Sequence, residues 1–249
     1  MAIRICDLHK SFGSKVVLDG FSVEAREGET LVILGGSGSG KSVALKHVVG
    51  LLTPDSGQVE VDGEVVSELG REALYRLRRK VGYVFQFAAL FDSMTLADNV
   101  AMGLRRQSNL TGEDIEERVA ECLRLVDLDG YGPRSPAELS GGQRKRAGIA
   151  RAIATRPQYL LYDEPTTGLD PVTRAMIDGL ILRMSSELGV TGIVITHDMD
   201  SAFRVADRFA MLYDGRCRFS GTPDEIRETD DPVVRGFIEG RPELMESEK

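Results

Sequence analysis

The 249-residue sequence predicts an α/β fold built on a parallel sheet. Short, almost wholly apolar runs recur along the chain, and such runs read as strands buried on both faces. In the second half they alternate with helix-forming stretches, the arrangement of parallel β-α-β units. One run, Leu31-Val32-Ile33-Leu34, passes at once into Gly35-Gly36-Ser37-Gly38-Ser39-Gly40-Lys41-Ser42. This turn fits G-x-x-x-x-G-K-[ST] and opens an amphipathic stretch carrying Val43, Leu45, Val48 and Val49.

In the first third the β-rich stretches are Ile3-Arg4-Ile5, Lys15-Val16-Val17-Leu18, residues 31–34, Val59-Glu60-Val61 and Val81-Gly82-Tyr83-Val84-Phe85. Asp62-Gly63 between two apolar pieces predicts a hairpin turn. Residues 95–156 change to helical periodicity, with Ile115, Val119, Cys122, Leu123 and Val126 along one face, so this block reads as a helical insertion. The sheet resumes with Tyr159-Leu160-Leu161-Tyr162, Gly192-Ile193-Val194-Ile195-Thr196 and Phe209-Ala210-Met211-Leu212-Tyr213. Between the first two, Asp170 as N-cap and Pro171 at the first helical position predict a helix running to Leu188-Gly189.

Ligands of such sheets gather at the carboxyl ends of the strands. There the glycine-rich turn points backbone N–H groups and a positive helix end at one spot, which suits a polyphosphate. Lys41 can reach the β- and γ-phosphates, and the Ser42 hydroxyl can ligate Mg²⁺ held between them. The run 159–162 ends in Asp163-Glu164, so two carboxylates emerge beside that turn. Asp163 is placed to hold Mg²⁺, directly or through water, and Glu164 to polarise the water that attacks the γ-phosphate.

Composition limits the setting. No apolar run approaches the ~20 residues that span a bilayer, and the start MAIRICDLHK lacks the apolar stretch of a secretory signal. A formal net charge of −8 makes nucleic acid a poor partner; the runs Arg76-Leu77-Arg78-Arg79-Lys80 and Arg144-Lys145-Arg146 read as solvated faces, and so does the acidic tail, residues 243–249. Cys6, Cys122 and Cys217 are widely spaced, without metal-type neighbours, and read as reduced thiols; His9 and His47 read as structural.

A phosphate loop with an acidic strand is shared by kinases, GTPases, helicases and transport ATPases, and further motifs decide among them. Leu139-Ser140-Gly141-Gly142-Gln143 resembles the signature of the ATP-binding cassette (ABC) family and opens the helical stretch 144–155. Gln86, after the run 81–85, resembles the family's Q-loop glutamine, and His197 its switch histidine. Residues 166–170, centred on Gly168-Leu169-Asp170, resemble the D-loop, and Phe12 stands where the family places an aromatic under adenine.

The resemblance covers nearly the whole chain. It implies a P-loop NTPase (RecA-like) core, about residues 1–86 and 158–222, with an antiparallel β subdomain and an inserted α-helical subdomain at about 87–157. These form a single ATPase domain over 1–240, with a C-terminal helical extension and tail over 223–249. It also implies ATP and Mg²⁺, with Phe12, Gly35 to Val43, Ser140 to Gln143 and Asp170 on the nucleotide, Ser42, Gln86 and Asp163 on the metal, and Glu164, His197 and Gln86 in catalysis. The expected partners are a second copy of the chain and a separate membrane permease.

Three further stretches resemble the ATPase of Mla/Mce-type phospholipid transporters of Gram-negative envelopes. They are Gly35-Gly36-Ser37-Gly38-Ser39-Gly40-Lys41-Ser42-Val43, the segment from Gln86 to Leu96, and the ending Asp231-Pro232-Val233-Val234-Arg235-Gly236-Phe237-Ile238-Glu239-Gly240. That resemblance implies a peripheral position on the cytoplasmic face of the inner membrane, Mce-type substrate-binding and small accessory proteins, and phospholipid cargo. Leu90, Phe91 and Met94 would form a groove for a coupling helix of the permease, and Phe237 and Ile238 would anchor the C-terminal segment on the partner ATPase or on their own domain. One alternative is the ATPase of a solute importer, such as one for amino acids, where the absence of a long C-terminal regulatory domain argues against sugar and methionine types; another is a soluble ABC ATPase acting on ribosomes or DNA, against which stand the single cassette and the lack of a long coiled-coil insertion.

Overall fold

The computed structural model describes residues 2–107 and 109–246; the end of the acidic tail, residues 247–249, lies outside the described residues. Strands β1 (Ala2–Phe12), β2 (Lys15–Arg26), β3 (Thr30–Leu34), β4 (Ser56–Val61), β5 (Glu64–Val65) and β6 (Val81–Val84) precede Gln86; β7 (Tyr159–Asp163), β8 (Thr191–Ile195), β9 (Arg208–Tyr213) and β10 (Arg216–Gly221) come later. The helices are α1 (Lys41–Val48), α2 (Arg71–Lys80), α3 (Leu96–Ala101), α4 (Gly112–Leu125), α5 (Gly141–Ile153), α6 (Pro171–Leu188), α7 (Met199–Val205), α8 (Pro223–Glu228), α9 (Pro232–Glu239) and α10 (Pro242–Glu246).

Two sheets result. The smaller is antiparallel in the order β2-β1-β4-β5, closed by the hairpin at Asp62-Gly63. The larger runs β10-β9-β3-β8-β7-β6, parallel throughout except at β10. Alternate residues of its strands face opposite layers, as a period of two requires. Leu31 and Ile33 join Leu45, Val48 and the inner face of the antiparallel sheet, so α1 lies between the two sheets. Val32 and Leu34 face the other way, into a core shared with α3 to α9. Every residue of β3, β7 and β8 is buried, which explains their unbroken apolar sequence.

Several elements depart from the expected bounds. β2 runs twelve residues rather than four, because Leu18, Phe21 and Ala25 keep burying one face past Gly20. β6 stops at Val84, and Phe85 belongs to the turn that follows. α5 begins at Gly141, not Arg144, since the Ser140 hydroxyl accepts from Gln143 N–H and the Gln143 side chain accepts from Ser140 N–H in a capping box. α6 starts as expected, with Asp170 accepting from the Val172 and Thr173 N–H groups, and ends on left-handed Gly189. Phe237 and Ile238 pack against the chain's own core.

The basic runs are only in part the solvated faces that composition suggests: Arg76 and Arg79 are exposed, while the other basic members make specific contacts. Arg78 donates to the Val49 and Gly50 carbonyls, and Lys80 pairs with Asp62. In α5, Arg144 donates to Leu139 O, Arg146 to the Val126 and Asp127 carbonyls, and buried Lys145 to the Glu164 carbonyl. Alternate chemistry at these positions is hidden by their spacing, because a helix turns three consecutive residues to three different neighbours.

Candidate nucleotide site

The carboxyl ends of four adjacent parallel strands, β3, β8, β7 and β6, bring together the phosphate loop, His197, the Asp163-Glu164 pair and Gln86. A cavity of about 450 Å³ there is lined by Phe12, Lys15, Val17, residues 37–43, Gln86, Glu164 and His197. Phe12 is half exposed at its rim, with the Lys10 ammonium 5.6 Å from the ring centre. Lys15 and Val17, which sequence reasoning missed, line the same space because β2 passes beside the loop.

The loop geometry requires glycine at Gly35. Its φ is 153°, and a Cβ there would lie 2.5 Å from the Leu212 carbonyl oxygen. Lys41 is buried at the first turn of α1, where its ammonium donates to the Gly35 and Gly36 carbonyls at 2.7 and 2.9 Å and lies 3.9 Å from Glu164 Oε1. Burial lowers the Lys41 pKa, and the Glu164 and Asp163 charges oppose that shift. Ser42 Oγ donates to Asp163 Oδ1 at 2.8 Å, and Tyr83 OH donates to Asp163 Oδ2 at 3.0 Å.

Glu164 follows β7 in the left-handed region, φ 51°, held by its N–H on Ile195 O at 3.0 Å and by Lys145 Nζ on its own carbonyl at 3.0 Å. That turn aims the carboxylate across the strand ends. Glu164 Oε2 accepts from Thr167 Oγ1 at 3.0 Å and lies 2.9 Å from His197 Nδ1. Gln86 is half-buried on the cavity wall. Just beyond it, Ala88 and Ala89 both have positive φ, 59° and 48°, and Arg151 of α5 donates to both carbonyls.

Ser140 to Gln143 and Asp170 do not line this cavity. They form a second cluster: a Cβ on Gly142 would lie 2.3 Å from Thr173 Cγ2, and the Thr173 hydroxyl donates to Asp170. The signature turn and the start of α6 are thus packed as one surface, with Ser140 and Gly141 exposed. His9 and His47 lie outside both clusters; buried His47 donates from Nδ1 to Val43 O, and burial lowers its pKa. The three cysteines are free thiols.

The residues fit a magnesium nucleotide. Ser39 Oγ is buried in the loop without a hydrogen-bond partner, and the Ser42 hydroxyl faces a carboxylate oxygen, the donor set that suits a hard divalent cation. Among the described residues no group of three or more His, Cys, Asp or Glu could hold an ion by itself.

A parallel sheet with a phosphate loop, a hydrogen-bonded Ser42–Asp163 pair and a glutamate at the strand end is the arrangement of a nucleoside-triphosphate hydrolase. The family described as ABC transporter matches residues 18–167. The chain is 41% identical over 241 residues to "Probable ribonucleotide transport ATP-binding protein mkl" of Mycobacterium leprae, covering 97% of this chain and 70% of that protein. It is 43% identical over 226 residues to "Methionine import ATP-binding protein MetN" of Caulobacter vibrioides, covering 90% and 68%. Its fold is similar to the dimeric, ADP- and Pi-bound post-hydrolysis structure of the ATP-binding cassette MJ0796, with a TM-score of 0.81, 32% identity and coverage of 89% and 98%. The chain therefore belongs to the ABC transporter family: it is an ATP-binding subunit, an ATPase using ATP and Mg²⁺.

Proposed function

We propose that this ATPase works as a homodimer on a separate membrane permease and drives phospholipid movement between the two membranes of a Gram-negative envelope. The observation that carries the catalytic part is the convergence of Lys41, the Ser42–Asp163 pair and the Glu164–His197 pair at one set of strand ends. Lys41 and the loop N–H groups bind the phosphates, and Phe12 stacks on the base. Ser42 and Asp163, with Gln86 beside them, hold Mg²⁺, which when bound neutralises charge on the phosphates. Glu164 takes a proton from the attacking water as its oxygen bonds to the γ-phosphorus and the bond to the ADP oxygen breaks. His197 holds the Glu164 carboxylate in line for that transfer.

The second cluster fits the dimer. Ser140 to Gln143, at the positive end of α5, and Asp170 would face the nucleotide held by the partner copy, so one chain carries half of each site. The division into a core at about 1–86 and 158–222 and a helical part at about 87–157 belongs to the same reading. Leu90, Phe91 and Met94 would receive the permease helix. Phe87, 84% exposed, and Phe91, 51% exposed, supply apolar surface beside Gln86, so docking there would reach the catalytic residues directly.

The phospholipid assignment is supported by the three sequence stretches that resemble Mla/Mce-type ATPases, with Mce-type and small accessory proteins as further partners on the inner membrane. No helix among the described residues is long and apolar enough to cross a membrane, which fits a peripheral subunit. The identity to a methionine-import subunit supports the second reading, a solute importer. Reconstituting the complex that copurifies with this chain separates them. ATP-dependent transfer of labelled phospholipid between vesicles supports the first, and ATP-dependent uptake of a labelled amino acid without lipid transfer replaces it with the second.

A further inference from the structure

We infer that Tyr83 is a positioning residue for the metal-holding carboxylate, its hydroxyl fixing the orientation in which Asp163 turns Oδ1 toward Ser42. This rests on the reading of Ser42 and Asp163 as the Mg²⁺ pair. Asp163 ends β7 and is buried, and its two oxygens have different partners: Oδ1 accepts from Ser42 Oγ at 2.8 Å and Oδ2 from Tyr83 OH at 3.0 Å. Tyr83 lies on β6, directly opposite Leu161 in the parallel ladder. Leu161 and Asp163 share a face of their strand, so a tyrosine at this position lies beside the first and reaches the second with its hydroxyl.

The rotation of a carboxylate about its last torsion is broad and roughly two-fold. With one donor, the carboxylate plane of Asp163 can pivot about its bond to the serine; a second donor on the other oxygen fixes the plane, so that one oxygen stays turned to Ser42. The Tyr83 ring is itself held, stacked on Phe85 with centroids 4.3 Å apart and planes at 28°. Phe85 precedes Gln86, so the same stack ties the metal-holding carboxylate to the glutamine turn.

Partners that orient metal ligands from behind typically change metal affinity by about 10–100-fold. The test measures binding of a fluorescent ATP analogue to the full-length chain, first in excess chelator and then as Mg²⁺ is titrated in. Tyr83→Phe keeps the ring stack and loses only the hydroxyl. The expected result is an unchanged affinity without metal and a Mg²⁺ midpoint raised about tenfold. Asp163→Asn, run alongside, abolishes the Mg²⁺ response. If Tyr83→Phe does not fold, Tyr83→Met carries the same expectation. An unchanged midpoint in Tyr83→Phe with Asp163→Asn impaired overturns the role of Tyr83 alone, as does an equal loss with and without metal. An unchanged Mg²⁺ response in Asp163→Asn overturns the underlying metal assignment as well.

Discussion

Arg151 gives the most quantitative test of how α5 controls the glutamine turn. Its guanidinium donates from Nη1 to Ala89 O at 2.5 Å and from Nη2 to Ala88 O at 2.8 Å, and both alanines are left-handed. Non-glycine residues in that region cost on the order of 1–3 kcal/mol each, so the surroundings must hold them there. Arg151→Met keeps the length of the side chain and deletes both hydrogen bonds. A bond from a charged donor contributes about 1.5–3 kcal/mol when buried; the Ala89 bond is exposed and counts below that range, and burying the guanidinium offsets part of the gain. A net loss of about 2–3 kcal/mol remains, which lowers the Tm of a chain this size by about 5–10 °C. Calorimetry reads the Tm, and hydrogen exchange reads the turn, where amides 86–94 should exchange faster while those of β7 and β8 keep their protection. Unchanged Tm with unchanged exchange in 86–94 refutes the clamp.

Other predictions follow from single contacts. Lys41→Ala removes the ammonium beside the loop carbonyls and should weaken ATP binding by about 10–100-fold at physiological salt, the value of a charge-assisted bond to phosphate; a titration showing wild-type affinity contradicts it. Phe91→Asp should abolish copurification with the permease while leaving Tm and ATP affinity unchanged, since the ring is exposed; retained permease in the pull-down misplaces the docking surface. Asp231 caps α9 and accepts from Arg218 Nε at 2.7 Å. Burial alone would raise its pKa, but the guanidinium and the helix N–H groups outweigh that and hold it below the ordinary value. A depressed folded pKa means its contribution is complete above the unfolded value near ~4 and is lost as pH falls through the folded one. Tm should therefore drop more steeply below about pH 4 in wild type than in Asp231→Asn; parallel curves would show that the cap contributes nothing.

The residues that form the cavity were legible where the signal is local. The glycine-rich turn, the buried run ending in two carboxylates and the Asp170-Pro171 helix start are each specified within about ten residues, so spacing and residue type suffice. What the sequence concealed depends on contacts between distant segments. Tyr83 reads as one more strand residue until β6 and β7 are paired and its partner, 80 positions away, lies beside it. Lys145 reads as solvated charge and Arg151 belongs to no motif, yet both reach backbone carbonyls beside the cavity, Lys145 that of Glu164 and Arg151 those of Ala88 and Ala89. Buried cations that satisfy carbonyls leave no trace in hydropathy, because the pattern registers charge and not its partner. The extent of β2 was hidden for a simpler reason: Gly20 interrupts the alternation, although Phe21 continues it on the buried face.

The proposal that ATP is gripped between two copies, and released by its own cleavage, is tested most directly with Glu164→Gln. This substitution removes the proton acceptor but keeps a side chain that can still accept from Thr167 and be reached by His197. Light scattering after gel filtration, with ATP and Mg²⁺ present, should find the variant at twice the chain mass with one ATP retained per chain, and phosphate release should fall by about 10²–10⁴-fold. A variant that holds ATP yet stays at the mass of a single chain, or that releases phosphate at the wild-type rate, contradicts it.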